Sequence, residues 1–403
     1  MDSYIQVESQ YQWGYYILCG ILFLFFPILG IITASLFAIK IESKQLILYL
    51  IVLLVMYLSA LNTTKIPESD MVNYIDMFCS VPKNGYYRTL TYLSESGTTK
   101  DAGYASLVYL MYYILSGNQY LFIFLVSIFT FLFFFLSIYK FSVENEQTKN
   151  YLIVAELLVI GFFTQYFSLT FHLVRQELAT SLFFYALTFR SCSIKKYIIW
   201  GVIATSIHSS IVAIFIFSII PFMSQELTMK RMIVMVVIAL SFVSIASKMG
   251  TFLLDNYELE DSIEYSVSRM TEAEKAQTEL KMAGIINIFS VLMLLICFIE
   301  MIRNRGQVVY PLIVNLCFIW SVLVLGMSIS PLIQYRFYFI EYNFLPFVVF
   351  LLFRHNTQLL KPFCLCTVVF LIFRFFASLN NIFQFAPIEE ALVEPFFILL
   401  KLS

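Results

Sequence analysis

The chain has 403 residues, 60% hydrophobic, 18% aromatic and 13% charged, with a net charge of −1 and a mean hydropathy of +0.84. Such a composition describes a polytopic integral membrane protein with an all-α body. Its charge balance leaves no basic stripe for nucleic acid.

In chain order, apolar runs of spanning or near-spanning length fall at about 15–38, 46–62, 120–140, 151–168, 174–190, 197–220, 232–249, 284–302, 308–328, 337–353 and 362–379. A shorter run at 104–116 brings the expectation to about 11–12 segments in one membrane domain over 1–403. The first run has no basic residue before it and Lys40 and Lys44 after it, which predicts a single uncleaved helix with its N-terminus outside. Two polar stretches, about 62–103 and about 251–283, read as external loops. The second contains Arg269-Met-Thr-Glu-Ala-Glu-Lys-Ala-Gln-Thr-Glu279, free of Gly and Pro, which predicts a lid helix.

Lys140/Lys149, Lys195/Lys196, Lys230/Arg231, Arg303/Arg305 and Arg354/Lys361 all carry the signature of cytoplasmic loops, and strict alternation of spans cannot satisfy every pair. One segment must fail to span. The run at 104–116 suits a re-entrant helix, and either 197–220, which ends at Pro221, or 232–249, which has a Ser-rich end, is expected to be broken or partial. The halves show no clear repeat, which argues against transporters built from inverted repeats. Six of the seven cysteines lie in or beside membrane segments and Cys79 in a loop, so no disulfide framework is implied. There is no zinc-ligand spacing and no Gly-rich phosphate loop or Walker lysine, which argues against an ATP-driven pump.

The polar residues that could carry chemistry gather at segment ends assigned outside. Pro67 and Ser69 suit a helix start, and on the helix that follows Asp70, Asn73 and Tyr74 share one face; Asp70 suits either a cap or a site. Asp101-Ala-Gly103-Tyr104 sets a carboxylate at the membrane boundary, where a plain solvated acid is the alternative. His172, Arg175, Gln176 and Glu177 open one apolar helix, and His208, Ser209 and Ser210 interrupt the next, with the basic turn Arg190-Ser-Cys-Ser-Ile-Lys-Lys196 between them. At ~1.5 Å per residue, Arg175 stands roughly 22 Å from Arg190 and His208 roughly 18 Å from Lys196, so an antiparallel hairpin would bring both to similar depth. Ionisable groups there face a bundle interior or a wet cavity, or else snorkel to the interface. Pro331-Leu-Ile-Gln-Tyr335-Arg336-Phe-Tyr338 sets an arginine at a helix start, suited to an anion or to an interfacial belt. Arg374 reads as a further buried cation, and Glu156 as a neutraliser of Lys195 or Lys196. Arginines at 175 and 336 with His208, Asp70 and Asp101 as proton acceptors suit a polyanionic lipid phosphate.

At these residues the chain resembles the EpsG/Wzy family of polysaccharide polymerases. Asp70-x-x-Asn-Tyr74-x-x-x-Phe78 is similar to the family's external Asp-Tyr-x-x-Tyr type motif, and Asp101-Ala-Gly103-Tyr104 to its acidic-x-Gly-aromatic motif, with Asp where Glu is commoner. Val174-Arg175-Gln176-Glu-Leu-Ala179 resembles its Arg-Gln-x-x-Ala helix start, with Leu173 where a small or polar residue is frequent. Ile207-His208-Ser209-Ser210 resembles its Phe-His-x-Ser element and Tyr335-Arg336-Phe-Tyr338 its late Arg-aromatic motif.

The resemblance implies a glycosyltransferase with a GT-C-like body and no nucleotide-sugar domain, sitting in the bacterial inner membrane with its active site facing the periplasm. It would transfer an undecaprenyl-pyrophosphate-linked glycan to the terminal hydroxyl of another lipid-linked repeat unit, in O-antigen, capsule or exopolysaccharide assembly. Arg175 and Arg336 would hold the pyrophosphate, with Gln176, Tyr74, Tyr338 and Ser209 completing the binding set. His208, or else Asp70 or Asp101, would accept the hydroxyl proton. No metal or other cofactor is demanded, and a chain-length regulator is a candidate partner on the loops. An O-antigen ligase shares the donor, and a lipid-linked oligosaccharide flippase would want a cationic cavity through both leaflets.

Overall fold

The computed structural model describes residues 2–65, 70–92, 101–144, 149–226, 228–256, 277–303, 310–329, 331–353, 357–382 and 388–400. It is 88% helical, with no strand among the described residues. The helices are α1 (Asp2–Phe25), α2 (Pro27–Ile41), α3 (Lys44–Thr63), α4 (Asp70–Thr91), α5 (Ala102–Ile114), α6 (Gln119–Glu144), α7 (Asn150–Gly161), α8 (Thr164–His172), α9 (Val174–Leu187), α10 (Ile194–Ile207), α11 (Ile211–Ile219) and α12 (Met229–Asn256). They continue as α13 (Gln277–Arg303), α14 (Pro311–Gly326), α15 (Pro331–Tyr342), α16 (Leu345–Val348) and α17 (Thr357–Ile382), followed by two short helical turns.

By length and composition, 4 described helices can cross a membrane (α3, and most of α6, α13 and α17), or up to 6 if two bent pairs each count as one span. The bent pairs are α7 with α8, at 53°, and the α15 region with Leu345–Phe353, at 54°. The runs expected at 151–168 and 337–353 are therefore broken. The run at 197–220 breaks at His208-Ser209-Ser210, between α10 and α11, while α12 is continuous. The run at 104–116 forms the 13-residue α5. The first run departs from the single helix expected. It stops at Phe26 (φ −142°, ψ 81°), because Pro27 has no amide to donate and disfavours helical geometry in the residue before it. α1 and α2 pack against each other, and a Cβ on Gly30 would stand 2.6 Å from the backbone of Phe23. The lid helix expected over Arg269–Glu279 falls mostly on 269–276, outside the described residues.

The chain divides into two compact units, the first of residues 1–79, 108–200 and 358–403 and the second of 80–107 and 201–357. In the first, α6 lies between α3 and α9. Helix α3 starts at a Ser43 cap, whose hydroxyl accepts from Leu46 N. From Leu50 to Thr63 all side chains but those of Val52 and Met56 are buried, because an apolar helix surrounded by helices has no polar face to show. Phe134 packs on Tyr166 at 5.3 Å and on Phe184 at 5.5 Å between ring centres. With lipid as the surrounding solvent, such contacts hold by shape and dispersion rather than by expelling water. The directional tie is Asn62, whose Nδ2 donates to Ser127 Oγ (2.9 Å) on α6 and Thr170 Oγ1 (3.1 Å) on α8.

In the second unit α14 is the central helix, buried from Leu312 to Val324. Its strongest tie is Glu341 of α15, whose two carboxyl oxygens accept from Ser290 Oγ of α13 (2.6 Å) and Ser321 Oγ of α14 (2.5 Å). Three helices thus meet on one buried side chain. Asn315 Nδ2 donates to the carbonyls of Met223 and Gln225, both at 2.8 Å, and fixes the turn that follows α11 on α14. Glu341→Ala is expected to cost roughly 1–3 kcal/mol by stranding two hydroxyls, and Glu341→Gln less; thermal unfolding of the purified protein in detergent measures both.

Candidate functional site

The sequence-predicted residues form two constellations, one inside each unit. In the first unit α8 ends at His172, and Leu173 (φ −114°, ψ 49°) turns the chain straight into α9. This places Arg175 and Gln176 on the first turn of a helix, where the backbone dipole favours negative charge. Arg175, half-buried, donates from Nε to the Tyr74 hydroxyl at 3.2 Å, and its guanidinium carbon lies 5.4 Å from the Tyr74 ring centre. A hydrogen bond and a cation–π contact from one tyrosine orient the guanidinium plane. Tyr74 is buried, one turn after the half-buried Asp70. Asn73 is exposed, so the shared face expected of Asp70, Asn73 and Tyr74 divides: the tyrosine turns inward and the asparagine outward. Gln176 is buried. Arg374, expected to be buried, is exposed on α17.

Lys65 belongs to the same neighbourhood, and sequence reasoning passed over it. It lies two residues beyond α3, is 3% exposed, and donates from Nζ to the Phe167 carbonyl at 3.1 Å. The ammonium stands 3.8 Å above the Phe167 ring and 4.9 Å above that of Phe171. Burial pushes it well below the usual lysine range. The available signal was a lysine directly after a helix end assigned outside, where the positive-inside bias disfavours one.

In the second unit two motifs separated by 108 positions meet: Asp101 Oδ1 accepts from the backbone N–H of Ser209 at 3.1 Å. Asp101 adopts the left-handed conformation (φ +56°), which Asp tolerates better than most residues. Its carbonyl accepts from Tyr104 N (3.0 Å) and Ala105 N (3.3 Å) and so starts α5. The next requirement is space. A Cβ on Gly103 would lie 2.8 Å from the Ser206 carbonyl carbon, so only glycine lets α5 begin this close to the end of α10.

His208, half-buried, accepts the Ser210 backbone N–H at Nδ1 (3.2 Å), with the Ser210 hydroxyl also 2.8 Å away. An Nδ1 that accepts from an amide carries no proton, so the neutral imidazole holds its proton on Nε2. Ser209 is exposed beside it. Of the late motif, Arg336 is exposed on α15, while Tyr338 is buried against Tyr342 at 4.5 Å and Phe289 at 5.4 Å. Tyr86 of the first loop bonds Ser106 Oγ at 3.0 Å, and Tyr87 is exposed. Glu156, expected to neutralise a lysine, is buried and accepts from Ser142 Oγ at 2.8 Å.

Gly103→Ala is expected to lower stability by roughly 1–3 kcal/mol through overpacking. Gly284→Ala, where an added Cβ meets nothing within 4 Å, should be neutral or gain up to ~1 kcal/mol of helix propensity. Thermal unfolding of the two variants side by side reads the difference.

The first unit thus holds an oriented arginine at a helix start, and the second a carboxylate and an imidazole at a helix break. No curated protein and no solved structure matches the chain. A family model described as the EpsG family matches residues 45–389. With that match covering most of its length, the protein belongs to the EpsG family, a Wzy-type polymerase family.

Proposed function

We propose that the protein polymerises polysaccharide at the outer face of the bacterial inner membrane. It transfers a glycan from undecaprenyl pyrophosphate to the terminal sugar hydroxyl of a second lipid-linked repeat unit. The observation that carries this reading is the Asp101–Ser209 hydrogen bond, which brings two motifs resembling the family's together beside His208.

The acceptor hydroxyl oxygen attacks the anomeric carbon, the bond from that carbon to the phosphate oxygen breaks, and undecaprenyl pyrophosphate leaves with the electron pair. The hydroxyl proton goes to Asp101, an acceptor-only carboxylate once ionised and held in place by the Ser209 amide. His208, whose Nδ1 is taken up by the Ser210 amide, is assigned the role of a donor that orients a sugar or phosphate oxygen. Arg175, steadied by Tyr74, is assigned to the pyrophosphate on its chemistry, since a guanidinium keeps its charge when partly desolvated and matches phosphate geometry. Arg336, exposed on α15, is a second phosphate candidate, and Asp70, Gln176 and Ser209 complete the binding set. Tyr338, being buried, supports the helix that carries Arg336.

In a polymerase-deficient strain, with protein levels matched, the wild-type chain should restore a polysaccharide ladder, and Arg175→Ala, His208→Ala and Asp101→Asn a single-repeat product. His208→Gln keeps a side-chain donor and should retain part of the ladder. Normal ladders from Arg175→Ala and Asp101→Asn would return these residues to structural roles, and loss of all surface glycan would favour a flippase. Because arginine can supply the positive charge that pyrophosphate requires, turnover of the reconstituted protein should persist in chelator. Full loss in chelator, restored by magnesium, would overturn that assignment.

A further inference from the structure

The first unit also contains a cavity of about 610 Å³ between α2, α7 and α17. Its walls include Ile32, Leu36, Ala155, Leu158, Leu365 and Val369. Ser35, in the wall, donates its hydroxyl to the Ile31 carbonyl at 2.8 Å and so asks nothing of a ligand. Leu36 and Leu365 are 61% and 65% exposed, which leaves the cavity open along its side as a groove.

One end is charged. Glu42, Lys149 and Lys361 line it, and contacts bring the three helix ends together: Asn150 Nδ2 donates to the Ala38 carbonyl at 3.2 Å, and Lys361 Nζ lies 5.6 Å from the Tyr151 ring centre. Two lysines against one glutamate leave cationic charge in excess in the lining. Lysines at one end of three membrane helices mark the cytoplasmic side. From Lys361 to Ile372, or from Tyr151 to Phe162, the lining follows a helix for about 16 Å at ~1.5 Å per residue, one leaflet of a hydrocarbon core ~30 Å thick.

We propose that this groove binds an anionic phospholipid of the cytoplasmic leaflet. One acyl chain lies along α2, α7 and α17, and the phosphate rests against the Lys149 and Lys361 ammonium groups. The site does not depend on the polymerase reading, and its test reads lipid rather than product.

The full-length protein is purified in detergent and exposed to equal phosphatidylglycerol and phosphatidylcholine of identical acyl chains. It is then washed with excess phosphatidylcholine, and the retained lipid is counted by native mass spectrometry. Wild type should retain phosphatidylglycerol over phosphatidylcholine by about fivefold or more, and Lys149→Ala/Lys361→Ala should abolish that preference. Leu365→Trp, at an exposed wall position whose substitution spares the interior, should reduce retention of both lipids. Equal retention of the two lipids by wild type would overturn the proposal, as would a preference that survives the double substitution. Stronger retention of added polyprenyl phosphate than of phosphatidylglycerol would also overturn it.

Discussion

A backbone polar group without a partner is costly in an apolar medium, so a membrane helix can break only where donors meet the last carbonyls of one helix and acceptors meet the first N–H groups of the next. The break between α10 and α11 shows how this is met. His208 N reaches back to the Ala204 carbonyl, Ser209 N goes to the Asp101 carboxylate, and Ser210 N to the His208 imidazole. Ile211 and Val212 then take the His208 and Ser209 carbonyls and start the next helix. The side chains that permit the break are the ones assigned to chemistry. Structural demands and the proposed catalytic roles fall on the same atoms, and both depend on glycine at 103, whose missing Cβ lets α5 begin close to the end of α10.

The first unit answers the constraint differently. At Leu173 the chain turns without a polar cap, and Leu173 N bonds the Leu169 carbonyl at 2.8 Å. The polar atoms come from outside the turn: Asn62 ties α8 to α3 and α6, and Lys65 holds the Phe167 carbonyl. Arg175 is thereby delivered on a braced helix end, and Tyr74 sets its orientation. A guanidinium with two contacts to one tyrosine has already given up rotamer freedom, which would lower the entropic cost of holding the phosphate proposed for it.

Much of this was legible in the sequence. Helical content follows from long apolar runs, and the break at His208 from three polar residues inside one. The motif order carried the family resemblance. What could not be read are pairings between distant positions. Asp101 with Ser209, and Glu341 with its two serines, involve residues whose types are ordinary at membrane boundaries or inside helix bundles. Only the fold reveals which serine meets which acid. The split at Phe26 was readable in principle, since Pro27 stands in mid-run, but a uniformly apolar run masks the change of direction. Asn73 and Tyr74 show the limit of helical periodicity, which places adjacent residues on a broad common face whereas burial separates them.

The lengths of the helices from α7 to α11, between 9 and 14 residues, have a consequence for biogenesis. None reaches the ~20 apolar residues with which a segment partitions into a bilayer by itself. Such helices depend on neighbours to hold them: α7, α8 and α9 pack on α3 or α6, whereas α11 packs on α14. For α7 to α9 synthesis order matches that need, because both long helices emerge from the ribosome before α7 begins.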